Sequence, residues 1–398
     1  ITPDEPEDVQ ICPEEDTVDV HETENNDFDV SEEKSTIYVS DPSQLSALGG
    51  QTVTDDIELL NDIDMADTEM EPIESFSGNF KGNGYKIKNL TIEKEFTGYN
   101  SDYDGAALIR TITGNSEITG VIFENPSVTL KSSASYKGAA VVAASAKGVN
   151  VKISNCAVVG GSVVTKSSST SFAGSFVGAI TNEGTEGAYL TISDSFSSAD
   201  VKFEKESREG THYIGGFLGF LMNSSFASEN CVMFGDVSAS TSYNIGNAGG
   251  FIGNINGSNS GKSISFENSL FTGTVSGGNN YGFAYSGRYA YPEISVLGSC
   301  RYDNEKNKSQ SSWSPFEVFS SKAKVTGKVN GIKTADFASL DMGEAFKISE
   351  GYPYPAWFVK DSETHKIKIT VSPKDASVSL TDENGTEISL EKNDNVYS

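Results

Sequence analysis

The 398-residue chain holds three histidines, four cysteines and five methionines, and each scarcity removes a class of function. His21, His212 and His365 lie in three separate regions, so neither a histidine-based triad nor a histidine metal cluster is expected. There is no HExxH and no CxxC pair, and Cys12, Cys156, Cys231 and Cys300 are too few and too far apart for a disulfide scaffold. Cations are scarce as well: 29 Lys and Arg face 56 Asp and Glu, a formal net charge of −27. Nucleic acid and anionic membrane surfaces both select clustered Lys and Arg, so neither is an expected partner. No run of 18 or more apolar residues occurs, so no direct membrane insertion is expected of this segment. Nor does a signal peptide, so targeting segments are expected to have been removed or to lie outside it.

What is present points to strands. Thirty-nine glycines and an apolar content of 36% suit an elongated solenoid better than one compact globule. The charge is uneven: residues 1–34 carry fourteen Asp or Glu against one Lys, about half of the net charge, and read as a solvated acidic linker.

Two elements repeat along the chain. A glycine cassette recurs as Gly174-Ser-Phe-Val-Gly178, Gly215-Gly-Phe-Leu-Gly219 and Gly249-Gly-Phe-Ile-Gly253, with weaker copies read as opening at Gly105, Gly138 and Tyr281. Between cassettes lie Ile153-Ser-Asn-Cys156, Ile192-Ser-Asp-Ser195, Ser228-Glu-Asn-Cys231 and Phe266-Glu-Asn-Ser269, with outlying copies at Ile118 and Leu297. Measured at their fourth residue, the copies fall at 121, 156, 195, 231, 269 and 300, steps of 31 to 39. A period near 35 without an amphipathic helix fits one coil of a β-solenoid per repeat, six or seven coils in all. Stacking then predicts an internal ladder of Phe176, Phe217, Phe251 and Phe283, with offset ring pairs. Asn155, Asp194, Asn230 and Asn268 fall at a corner, where short polar side chains can satisfy backbone groups. Cys156 and Cys231, two coils apart, are expected as free buried thiols.

These cassettes, alternating with Ile-Xaa-Asn-Cys, resemble the GLUG-motif repeats of bacterial surface and secreted proteins. Leu59-Leu-Asn-Asp-Ile-Asp-Met65 with Phe76-Ser-Gly-Asn-Phe-Lys-Gly-Asn-Gly-Tyr85 resembles the segment that precedes such repeats. Phe346-Lys-Ile-Ser-Glu-Gly-Tyr-Pro-Tyr354 with Trp357 resembles the one that closes them. The chain departs from the family pattern at Lys81, where Asp is usual, and at Met70-Glu-Pro-Ile-Glu74. The resemblance covers residues 36–358 and implies a right-handed parallel β-helix of adhesins and large exoproteins, without shared catalytic residues.

The fold class expected is therefore all-β: a right-handed parallel β-helix with short capping helices and a partial immunoglobulin-like β segment at the C-terminus. Its parts are an acidic linker (1–35), an N-terminal cap with the opening strands (36–100), the repeats (101–310), a closing segment (311–360) and the start of an immunoglobulin-like repeat (361–398). Asp41 caps a short helix, Thr334 caps a second over 334–346, and Asn384-Gly385 turns a hairpin.

Candidate chemistry is sparse. Asn100-Ser-Asp102-Tyr-Asp104-Gly105 matches the first six positions of a calcium loop, but position twelve is Thr111, so an acidic turn is the competing reading. Calcium is the one cofactor considered. Tyr281, Tyr285, Arg288, Tyr289 and Tyr291 crowd one stretch and offer aromatic surface for a sugar or peptide, against the plainer reading that they cover decaying coils. Asp194, Asp200, Asp236 and Asp303 are the carboxylates nearest to what a β-helix lyase or hydrolase would need. Asn256-Gly-Ser-Asn-Ser-Gly-Lys-Ser263 mimics a phosphate loop with one residue too few. The functional expectation is a monomeric, non-catalytic surface or secreted module that meets a glycan or protein of a host or neighbouring cell. The alternatives are a β-helix carbohydrate-active enzyme and a bare stalk.

Overall fold

The computed structural model describes residues 34–359, except for 99–101, 183–187, 205–209, 240–245, 258–261, 288–291, 308–313 and 319–322, and five two-residue strands beyond 359. Between Thr36 and Ile332 the chain winds as a parallel β-solenoid whose strands stack into four sheets of ten, fourteen, nine and six strands. These are sheets A, B, C and D in the order given. The coil that starts at Ser116–Thr119 in sheet A shows the path. It continues through Ile122–Glu124 in sheet C and Ser127–Ser132 in sheet D, doubles through sheet B as Lys137–Ala139 and Ala143–Lys147, then re-enters sheet A at Asn150–Ser154. The six strands of sheet D count the complete turns, with partial coils at either end.

Stacking puts equivalent residues of successive coils side by side, so each interior row can be read down the register. Sheet D buries Ile92, Val128, Val163, Val201, Val237 and Val275 in one row. β-Branched side chains suit such a row, because their single favoured rotamer packs well on a pleated surface. Sheet A contributes Phe80, Ile118, Ile153 and Ile192. At the cassettes the expected ladder forms with fully buried rings: centroids are 5.0 Å apart for Phe176–Phe217, 4.8 Å for Phe217–Phe251 and 4.9 Å for Phe251–Phe283. The first two pairs cross at 84° and 67°, edge to face where offset stacking was expected. Either geometry satisfies the ring quadrupoles.

The corner after each sheet A strand needs left-handed backbone. Gly120, Asn155, Asp194, Asn230, Asn268 and Gly298 have φ of 66°, 51°, 47°, 52°, 44° and 57°. Only Gly adopts this region freely, and Asn or Asp at small cost. The amides also bond along the axis: Asn230 Nδ2 donates to Asp194 Oδ1 (3.0 Å) and Asn268 Nδ2 to Asn230 Oδ1 (3.3 Å). The sequence pattern suggests that these side chains serve backbone groups: Asn268 does, its Oδ1 accepting from the Ser299 amide at 2.9 Å, while Asp194, Asn230 and Asn268 also bond to each other. Asn230→Ala is expected to cost roughly 2 kcal/mol, from the αL penalty and the broken ladder, and Asn230→Gly clearly less. Urea unfolding of the pair checks this, and equal losses would sink the argument.

The next position is the small slot of Cys156, Ser195, Cys231, Ser269 and Cys300, all buried; Cys156 and Cys231 are free as expected, and Cys300 is free as well. Burial pushes Cys156 and Cys231 up from 9.0 to about 12 and Cys300 to about 11. Unfolded thiols ionise above pH 9 while these stay neutral, so the unfolded state binds fewer protons there. Stability is then full below pH 9 and falls as pH rises, by up to about 1.4 kcal/mol per pH unit and thiol. Urea titrations at pH 8 and pH 10 should show this slope flattened in a Cys156→Ser/Cys231→Ser variant.

Three expectations are corrected by the structure. Gly138 pairs with Phe172 and Ala139 with Ala173, so Ala140 and Ala107 stand where Gly174 does. The weak cassettes therefore open at Ala107 and Ala140, two residues later than Gly105 and Gly138. The helix expected over 334–346 is a 3-10 turn at Thr334–Ser339 that starts from Lys333. Thr334 does not cap it, because its hydroxyl donates to Asp303 Oδ2 at 2.7 Å. Past this turn the chain folds into a hairpin, Phe346–Ser349 with Tyr352–Pro355, laid on the outer side of sheet C. There Met342, Phe346, Tyr354, Trp357 and Phe358 cover an outward apolar row of Ala157, Phe196, Val232 and Leu270. Trp357 Nε1 donates to the Asp194 carbonyl at 2.5 Å.

At the start, Asp41 caps Pro42–Ser46 through the amides of Ser43 and Gln44, as expected. Beyond residue 359, Leu380–Thr381 pairs antiparallel with Glu387–Ile388, and Val396–Tyr397 pairs with Ile369–Thr370 and Lys392–Asn393. The hairpin strands expected around Asn384-Gly385 are present, and the turn itself lies outside the described residues.

Candidate functional site

The most buried ion pair among the described residues centres on Asp104. Its neighbour one coil on is Lys137, in register and wholly buried, whose Nζ lies 2.5 Å from Asp104 Oδ1 and 2.7 Å from the Asp102 carbonyl. Arg110 donates to Asp104 Oδ2 at 2.6 Å and reaches both oxygens of Glu74 at 2.8 and 2.7 Å. Both cations sit over the Phe96 ring, at 5.3 and 5.5 Å from its centroid. The carboxylate that the calcium reading needs is thus already neutralised by two cations, and the cluster does not support a cation site. Asp102 is exposed, and Asn100 lies outside the described residues.

The same row continues inward as Ser171 and His212, with 2.9 Å between Ser171 Oγ and His212 Nδ1, and the His212 ring stacks 3.6 Å from Phe203. Of this buried row only Asp104 is among the site residues expected from the sequence; Lys137, Ser171 and His212 are not. A signal existed, since all four precede a cassette by the same interval, but no shared residue type marks the row.

The carboxylates weighed for catalysis are engaged in the frame. Asp200 Oδ1 accepts from the Asp236 amide (3.2 Å), and Asp236 Oδ1 accepts from the Thr274 amide (2.8 Å), one coil bracing the next. Asp303 is buried and caps a turn through the amides of Glu305 and Lys306. Asp194 takes its place in the corner ladder. Asn256–Gly257 leads into a strand, Ser263–Glu267, and not into the helix a phosphate loop requires.

Of the tyrosine stretch, Tyr281 is buried and Tyr285 half-buried, stacked on each other at 5.3 Å and 22°. Arg288, Tyr289 and Tyr291 lie outside the described residues. Earlier coils carry a further aromatic cluster: Phe172 stacks on Phe220 at 4.5 Å and on Tyr213 at 6.0 Å. The ring faces are turned to one another, with Tyr136 exposed at the edge of the cluster and packed on Tyr103 and Phe172.

An open site is found instead on sheet A. A groove of about 550 Å³ crosses three coils, and its floor is the outward rows Asn150–Tyr189 and Glu117–Lys152–Thr191. Tyr189 is 37% exposed. Glu117 and Lys152 form an exposed ion pair at 3.2 Å. Asn115 Oδ1 accepts from the Asn150 backbone amide at 2.9 Å and holds the edge of the groove in place. The lining is mixed polar and aromatic and nearly neutral, in a chain whose net charge is −27.

No protein-family model matches the chain, and no curated protein does. Among solved structures it is similar to one from Bacteroides ovatus, named there as a "putative immunoglobulin A1 protease". The identity is 19%, the TM-score 0.52, and the match covers 80% of this chain and 92% of the other. At that identity the likeness speaks to architecture alone: this chain folds as a parallel β-solenoid of about six turns.

Proposed function

We propose that the chain is a secreted or cell-surface bacterial protein of the adhesin type, whose solenoid is a rigid module for binding or display and carries no catalysis of its own. The resemblance to GLUG-motif repeats implies this class. The observation that carries the reading is the use made of the aligned acids. Asp200 and Asp236 each hold the backbone of the following coil, so the pair that a lyase or hydrolase would need is engaged in stacking. An open, polar groove on a stiff sheet suits recognition.

The test is a binding screen of the purified chain against glycans and host surface proteins, run beside turnover assays on polysaccharides and on immunoglobulin A1. Saturable binding without turnover is the expected result. Cleavage of a polysaccharide that disappears in Asp200→Asn or Asp236→Asn would install the carbohydrate-active enzyme instead, and the absence of any ligand would leave a stalk spacer.

A further inference from the structure

We infer that the sheet A groove binds an uncharged, extended oligosaccharide laid along the solenoid axis, with Tyr189 as its stacking platform. The inference rests on the binding reading above and gives it a ligand class and a place. Tyr189 has no ring partner among the described residues, and its neighbours in the outward row are the smaller Asn150 and Ser225. A partly exposed ring with an open face is what the apolar face of a pyranose covers. No side-chain hydrogen bond engages the Asn150 carboxamide or the Thr191 hydroxyl among the described residues, so both are available to sugar hydroxyls, the carboxamide as donor and acceptor. Glu117 and Lys152 add an acceptor and a donor without adding net charge.

The direction is set by the sheet. Equivalent side chains recur about 4.8 Å apart along the axis and about 7 Å apart along a strand. A linear chain lying across the strands therefore meets Glu117, Lys152 and Thr191 in turn, with Tyr189 beside the last. Charge selects the class of sugar. The one cation of the lining, Lys152, is already paired with Glu117, so the groove holds no spare positive charge for a uronate or sulfate, while neutral polyols need none.

The experiment uses the whole chain against neutral and uronic-acid oligosaccharides of matched length, by calorimetry at low and high salt. Neutral oligosaccharide should bind with an affinity that salt leaves unchanged, and Tyr189→Ala should weaken it roughly tenfold or more while Tyr189→Trp preserves it. Thr191→Val should weaken it several-fold. Circular dichroism and urea midpoints equal to the parent's exclude a folding defect, since Tyr189 lies outside the core. Three outcomes overturn the inference. Neutral oligosaccharide that binds equally well to Tyr189→Ala puts the site elsewhere. Preference for uronic acids with steep salt dependence refutes the ligand class. Binding of a protein ligand and of no oligosaccharide refutes it too, while leaving the adhesin reading intact.

Discussion

Asp104→Asn should lower stability by about 3–5 kcal/mol, the range for removing one partner of a buried ion pair. The reason is Lys137. Its ammonium is wholly buried and faces Asp104 Oδ1, the Asp102 carbonyl and the Phe96 ring. Without the carboxylate charge, an uncompensated cation stays in a low-dielectric site, and Arg110 keeps Glu74 as its one carboxylate partner. Loss of the pair as a whole is different in kind. Asp104→Asn/Lys137→Met replaces two desolvated charges with apolar or neutral groups and should recover most of the stability. Hydrogen exchange will localise the effect to the strands on either side, Asp104–Ala106 and Lys137–Ala139. A single variant that unfolds at the parent's urea concentration, or a double variant worse than the single, refutes the account.

The second large effect belongs to the aromatic ladder. Phe217 is fully buried between Phe176 and Phe251, and truncation to Ala removes two edge-to-face contacts and opens a cavity the tight turn cannot close. Backbone crowding explains why: a Cβ added at Gly219 would lie 2.6 Å from the Gly178 carbonyl oxygen and 2.6 Å from the Ala173 amide nitrogen. Phe217→Ala should cost about 3–5 kcal/mol and Phe217→Leu less than half of that. In a solenoid each coil is held by its two neighbours, so a defect in the middle should also split the unfolding transition. Denaturant curves read separately at tyrosine and backbone signals would reveal the split. Coincident curves with a loss under about 1 kcal/mol would refute it.

How far the molecule can be read without coordinates depends on whether a position repeats its chemistry. The Phe ladder and the Asn corner repeat it, because every coil faces the same requirement: a ring to fill the interior at the cassette, and a residue that tolerates positive φ at the corner. The early cassettes are displaced by two residues from their expected starts because the alanine-rich stretches at Gly105 and Gly138 have no Phe to fix the phase, and hydrogen-bond register settles it. The row of Asp104, Lys137, Ser171 and His212 shares a place and no residue type. The acidic motif at 100–105 looks like a metal loop because its counterions come from elsewhere: Lys137 from the next coil and Arg110 from across the cassette.

By itself the sequence determined a β-solenoid with a period near 35, its interior ladder, its corner residues and its free thiols. Those features arise between equivalent positions of successive coils, and a repeat writes them out in order. The tertiary structure alone decided which charges neutralise Asp104, where the 340–358 segment lies, and which outward rows meet to form the Tyr189 groove. These depend on residues that stacking brings together from different coils, or from a chain end folded back onto a flank, and no spacing along the chain records such meetings.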